Sequence, residues 1–214
     1  MKKLFIFVLL LIFVTGCSKI DKEKDYKKII DSIAYNDTIL NVATTGYKFY
    51  LPKGVTVKKD LDFNQELKVL NNDMYLYVDI VSYYYKNFSN NKDTKENYNY
   101  YYEKINSRDG DFGYIGINKV DDKNYFIKIV YNYGKMEIYT TKNKLSSIIS
   151  YATLILKSIE YNDTVIEKFI SDNNITSNDT LYSIDKPSDS ESKFSQYLEE
   201  YVHEEEQIVV LPEE

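Results

Sequence analysis

One cysteine and one histidine occur among 214 residues, too few for a Cys/His metal cage or a disulfide framework. Glycine is scarce, with seven in all, and neither a phosphate-cradling glycine loop nor a Gly-x-Ser-x-Gly turn is present. Nucleotide-binding folds and nucleophile-elbow hydrolases therefore lose their local signatures. Arginine occurs once, at Arg108, and 27 basic residues face 33 acidic ones, for a net charge of −6. No basic block offsets that balance, so electrostatic capture of nucleic acid is set aside. What the chain does have is 43% hydrophobic and 28% charged residues, an ordinary globular mixture that requires a packed core. At roughly 100 to 200 residues per domain, this length allows one domain, with a second small one barely possible, and excludes a multidomain enzyme.

The chain opens with Lys2 and Lys3, then an unbroken apolar run over residues 4–14, then Thr15-Gly16-Cys17. The run is too short to cross ~30 Å of hydrocarbon, which takes about 20 residues, but it suits the apolar region of a signal peptide. Val14-Thr15-Gly16-Cys17 resembles the lipobox of bacterial lipoproteins. The resemblance implies a signal peptide over 1–16, a diacylglyceryl thioether with fatty chains such as palmitate on Cys17, and Cys17 as the first mature residue. A plain secretory signal with an incidental cysteine, or a short membrane anchor, are the alternatives. The position of the only cysteine favours acylation. At ~0.8 kcal/mol per buried methylene, one acyl chain binds a bilayer reversibly and two hold it stably, so the expected location is the extracytoplasmic face of the cell membrane.

Residues 17–24 are polar and read as a tether. Tyr26, Ile29, Ile30 and Ile33 then follow helical spacing, which predicts an amphipathic helix of about three turns. From Tyr47 the period becomes two: Tyr47, Phe49 and Leu51 share one side, and Pro52-Lys53-Gly54 turns the chain before Val55 and Val57. Residues 67–70 and 74–86 flank Asn71-Asn72-Asp73, a hairpin signal. The second of these reads as one long strand, with Met74, Leu76, Val78 and Ile80 on a core face. Tyr75, Tyr77, Asp79, Tyr83 and Tyr85 fall on an amphipathic face. Further strands are expected at 112–120, 125–133 and 135–141, joined at Asp121-Asp122-Lys123 and near Gly134. Tyr98, Tyr101, Tyr102 and Ile105 have helical spacing behind Asp93 and Glu96, which could cap a helix. Leu145, Ile148, Ile149, Ala152, Ile155, Leu156 and Ile159 form a stripe that would lie flat on a sheet, with Ser147, Ser150 and Lys157 outward. The expected architecture over 25–170 is α+β, one antiparallel sheet packed with helices.

Composition shifts after residue 170. Residues 171–214 hold twelve acidic residues against Lys186 and Lys193, a net of −10 that leaves +4 on the remainder. Residues 171–189 read as a linker or loosely held arm. Ser188 and Glu191 match a capping box, and Phe194, Tyr197, Leu198, Tyr201 and Val202 follow at helical spacing, predicting an amphipathic helix over about 190–206. The glutamates at its C-terminal end oppose the helix dipole, so it needs a docking surface, on its own domain or on a partner. Residues 208–211 are apolar and suited to pairing with a sheet edge, its own or a partner's.

Candidate chemistry is thin. His203 sits among glutamates in that acidic helix, and Glu204, Glu205 and Glu206 lack the spaced ligands and turn glycine of a calcium loop, so neither a metal nor a cofactor is expected. Asp79 and Glu137 fall on predicted strands and could serve as acid and base, although a solvated sheet face explains them more cheaply. Tyr75, Tyr77, Tyr83 and Tyr85, with Tyr131 and Tyr133, could line a surface that stacks on sugar rings or on a partner's side chains. Tyrosine placed where other proteins use Phe or Leu is the plainer explanation.

Tyr47-Lys48-Phe49-Tyr50-Leu51-Pro52, the following turn, the central hairpin running to Tyr83-Tyr84-Tyr85, and the closing helix that ends at Ser158-Ile159 together resemble the PsbP-like sandwich over roughly residues 45–165. That resemblance implies non-enzymatic assembly or docking work. The expected function is a lipid-anchored adaptor that engages a protein partner through Phe194, Tyr197, Leu198, Tyr201 and Val202. The alternative is a small-molecule or glycan receptor using Tyr75, Tyr77, Tyr83 and Tyr85.

Overall fold

The computed structural model describes residues 25–33, 39–88, 93–106, 112–179, 181 and 184. Cys17 and the lipobox-like tetrapeptide, the tether, the helix expected over 190–206 and the apolar 208–211 lie outside the described residues.

The described residues begin with helix α1 (Tyr26–Ser32), two turns rather than three, whose first turn is capped by the Asp25 carboxylate accepting from Lys28 N at 3.3 Å. At its other end the Lys157 ammonium donates to the carbonyls of Ile30 at 2.7 Å and Ile33 at 2.8 Å. Those carbonyls would otherwise lack partners at a helix terminus, and the positive charge complements the dipole. Strands β1 (Val42–Ala43), β2 (Tyr47–Phe49), β3 (Thr56–Leu61), β4 (Asn64–Val69) and β5 (Asn72–Val78) follow, then helix α2 (Ile80–Tyr84) and a single 3-10 turn over Lys95–Asn97. Strands β6 (Tyr101–Asn106), β7 (Phe112–Lys119), β8 (Asn124–Tyr131) and β9 (Gly134–Thr141) lead through a second 3-10 turn into helix α3 (Leu145–Lys157), strand β10 (Glu160–Tyr161) and helix α4 (Asp163–Asp172).

Seven strands form a large antiparallel sheet in the order β3-β4-β5-β9-β8-β7-β6. Strict alternation divides its residues into two faces. The inner face presents Leu67, Met74, Leu76, Met136, Ile138, Ile127, Ile129, Ile115 and Ile117, all buried, to α3, which rests on β8 and β9 with Ile148, Ile149, Ala152 and Ile155. Each such aliphatic side chain taken fully from water contributes about 2 kcal/mol, so this layer dominates the stability of the body. Two hairpins are closed by two-residue loops with both residues at positive φ, as a type I′ turn requires: Leu70 (48°) and Asn71 (62°), and Asn132 (45°) and Tyr133 (66°).

The α+β class and its antiparallel strands match the expectation, with five corrections. A second, three-stranded sheet, β1-β2-β10, stands beside the large one, because the chain after α3 returns to pair Tyr161 with Tyr47. The long strand expected over 74–86 ends at Val78. Asp79 then caps α2, accepting from Ser82 N at 2.9 Å and Ser82 Oγ at 2.7 Å, so Tyr83 and Tyr85 leave the sheet. The helix expected from Tyr98 to Ile105 is instead the edge strand β6. Its backbone pairs with β7 from Tyr101↔Ile117 to Asn106↔Phe112, and its aromatic residues suit a pleated surface. The first hairpin turns at Leu70-Asn71, ahead of Asn72 and Asp73. Helix α4, capped by Asn162 accepting from Val165 N, was absent from the expectation, and it buries Ile166 and Ile170.

Candidate binding surface

The outer face of the large sheet, turned away from α3, carries the polar chemistry of the fold. Register sets one row directly across it: Glu66, Tyr75, Glu137, Lys128, Gly116 and Tyr102, one residue from each of β4, β5, β9, β8, β7 and β6. Cross-strand neighbours on one face touch, so charges from distant parts of the chain become adjacent.

At the β4 end, Glu66 is gripped by Lys58 at 2.5 Å and Lys59 at 3.4 Å, and Lys58 also reaches Asp73 at 3.1 Å. The hydrogen bond from Lys58 holds the Glu66 carboxyl below its ordinary value against the opposing effect of burial, with Lys59 helping. In the middle, Glu137 is wholly buried and paired with the Lys135 ammonium at 3.0 Å, which also lies 4.6 Å from the Tyr77 ring centroid. Burial, then the nearby Glu137 carboxylate, pushes the Tyr139 phenol up to about 12.

At the β6–β7 end, Asp93 Oδ2 accepts from Tyr98 Oη at 2.5 Å, Lys128 Nζ at 2.9 Å and Tyr114 Oη at 3.1 Å. Burial works to raise the Asp93 carboxyl, but the Tyr98 hydroxyl and the Lys128 ammonium outweigh it and hold it low. Tyr98 and Tyr114 are both pushed up by burial and by this carboxylate. The Tyr98 ring stacks on Tyr102 with centroids 5.6 Å apart and lies over Gly116, where a Cβ would overlap it. Asp93 was expected to cap a helix; it gathers a tyrosine cluster instead.

The four tyrosines proposed from sequence do not share a surface. Tyr75 is half-buried on the outer face, and Tyr77, expected on an amphipathic face, has no exposure. Tyr83 belongs to a separate aromatic cluster at one end of the fold, stacked on Tyr161 at 3.8 Å, edge-on to Tyr133, and donating to Asp163 at 2.7 Å. Tyr85 donates to the Ile175 carbonyl at 2.8 Å, fastening the chain after α4. Tyr131 faces the core and Tyr133 lies in the β8–β9 turn. Asp79 and Glu137 are both buried rather than on a solvated face, the first as a helix cap and the second as an ion-pair partner. Sequence reasoning missed Glu66, Tyr114, Lys128 and Lys135, which only the strand order brings together, and read Asp93, Tyr98 and Tyr102 as parts of a capped helix.

Outer-face groups can therefore stack aromatic surface, donate phenolic hydrogen bonds and exchange ion pairs. Among the described residues, no three His, Cys, Asp or Glu side chains are grouped to hold a metal, and no helix is long and apolar enough to cross a membrane. No family model matches the chain, and neither a curated protein nor a solved structure matches it.

Proposed function

We propose that this chain is a lipoprotein held by acyl chains on Cys17 at the extracytoplasmic face of the membrane, where it acts as a non-enzymatic adaptor for a protein partner. The observation that carries the binding role is the outer sheet face, where Tyr75, Tyr102, Tyr139 and Lys128 are half-buried beside the paired Glu66 and Asp93. Tyrosine supplies large contact area with a polar tip at little entropic cost, and paired charges fix orientation more than they add affinity. The stripe Phe194, Tyr197, Leu198, Tyr201 and Val202 is proposed as a second partner contact. The PsbP-like reading of residues 45–165 is kept in the same terms, supported by the order of hairpins and closing helix.

Changing Cys17→Ala should leave an unprocessed precursor or release the protein from membranes, and lipid labelling that persists in this variant rejects the anchor. For the adaptor role, crosslinking in native membranes with mass spectrometric identification should give one recurrent neighbour. Its yield should fall when Lys128→Glu and Tyr75→Asp are introduced, and an unchanged yield removes the outer face from the interaction.

A second reading, a glycan or small-molecule receptor, is favoured by the Tyr98–Tyr102 stack beside Asp93 and Lys128, rings and polar groups of the kind that hold sugars. Saturable ligand-induced shifts at Tyr102 across a glycan panel support it, and their absence rejects it.

A further inference from the structure

We propose that the outer face of the large sheet is the docking site of this chain's own acidic segment 190–206. The proposal needs only the outer face described above and stands apart from the lipid anchor and from any partner.

Burial at mid-sheet comes first. Glu137 on β9, Val130 on β8 and Tyr77 on β5 all point outward and have no exposure. The Lys135 ammonium pairs with Glu137 and lies over the Tyr77 ring, yet it is buried too, so neighbours within the sheet do not by themselves account for the cover. The segment 93–100 covers only the β6–β7 end, where Tyr98 lies over Gly116. Among the described residues, no helix makes an extended contact with the outer side of β4, β5, β8 or β9.

The path of the chain is the second observation. After α4, the Leu181 carbonyl accepts from Asn64 Nδ2 at 2.8 Å, and Asn64 is a buried outer-face residue of β4. Ile184 is buried as well. The chain thus reaches this face at Leu181, nine residues before position 190, a gap that spans up to ~30 Å when extended. A helix over 190–206 is about 25 Å long, a match for the eight-residue strands β8 and β9, which run roughly 27 Å along the part of the face that the segment 93–100 leaves uncovered.

Charge complements length. Residues 185–214 carry ten acidic residues and two lysines, while Lys59, Lys68 and Lys104 stand exposed around the outer face. Phe194, Tyr197, Leu198, Tyr201 and Val202 would bury their stripe against Tyr75, Tyr139 and Val130, leaving the glutamates to meet the lysines at the rim. This arrangement supplies the external support that a helix with glutamates at its C-terminal end requires.

The test uses the full chain in detergent. Carbodiimide treatment, which joins lysine to carboxylate only in contact, should give intrachain bonds between Glu199–Glu206 glutamates and Lys59, Lys68, Lys104 or Lys128 in the monomer band. Bonds found only between chains, or only elsewhere on the body, overturn the proposal. As a second measurement, acetylation of the buried mid-sheet Lys135 should accelerate ~10-fold in Leu198→Asp/Tyr201→Asp, with the exposed Lys123 unchanged and α3 amide exchange intact, as expected for release of a locally docked element. Equal Lys135 rates in both proteins, or protection that vanishes on dilution as a second copy would cause, overturn it.

Discussion

Gly116 shows how one missing side chain shapes the candidate surface. A methyl group there would displace the Tyr98 ring and with it the hydrogen bond to Asp93. Gly116→Ala should therefore cost about 1–3 kcal/mol, the usual penalty of overpacking. In a Tyr98→Ala background the same substitution should cost far less, because the ring is gone. Urea midpoints for the four proteins of that cycle check it, and additive losses would dismiss the contact. Lys135 makes a sharper case. Lys135→Met leaves a fully buried Glu137 carboxylate without its ion partner, which should cost about 3 kcal/mol. Replacing both, Lys135→Met with Glu137→Leu, should recover most of the loss, since apolar residues avoid desolvating two charges. Chemical denaturation of the single and double variants reads the difference.

Hairpins set the register of the large sheet, and one of them is built from unfavourable residues. Leu70 is half exposed and sits at φ 48°, a conformation that costs a non-glycine residue about 1–2 kcal/mol. Leu70→Asn with Asn71→Gly supplies the preferred pair for this turn and should stabilise the protein by about 1 kcal/mol, seen as a raised thermal midpoint. The equivalent change at Tyr133 should not help, because that ring packs on Tyr83, Phe112 and Phe88. These same elements show what was legible. Period-two runs and the apolar stripe of α3, six of whose seven expected positions fall on the helix, were readable because one buried face forces each pattern. The break at Asp79 was hidden, since apolar residues continue through Ile80 and Val81 and only the Asp79-to-Ser82 cap marks it. Tyr98, Tyr101, Tyr102 and Ile105 mimicked a helix because β6 uses aromatic rings on both faces: Tyr101 against Tyr26, Tyr102 against Tyr98.

Across the whole molecule, the paired carboxylates tie stability to pH. Asp93 is held below its unfolded value of about 3.9, so the stability it contributes is complete above that value and is lost as pH falls through the lower folded one. Glu66 acts in the same direction. Urea midpoints should fall steeply from about pH 5 toward pH 2.5, and Asp93→Asn should flatten that fall while lowering stability at neutral pH; an unaltered slope would exclude the cluster as its source. The candidate surface itself was not readable from sequence. Glu66, Glu137 and Lys128 are far apart along the chain, and only the order β4-β5-β9-β8 makes them neighbours. Charge division between body and C-terminal segment was readable, because it depends on composition alone.

The Lys157 ammonium, by gripping the Ile30 and Ile33 carbonyls, stitches the first helix to the central one. Any tug arriving from the N-terminal side is thus felt directly by α3, the slab on which the hydrophobic layer rests, rather than being absorbed by slack in the loops. A pull applied at Asp25 should therefore load α3 before the first helix peels away.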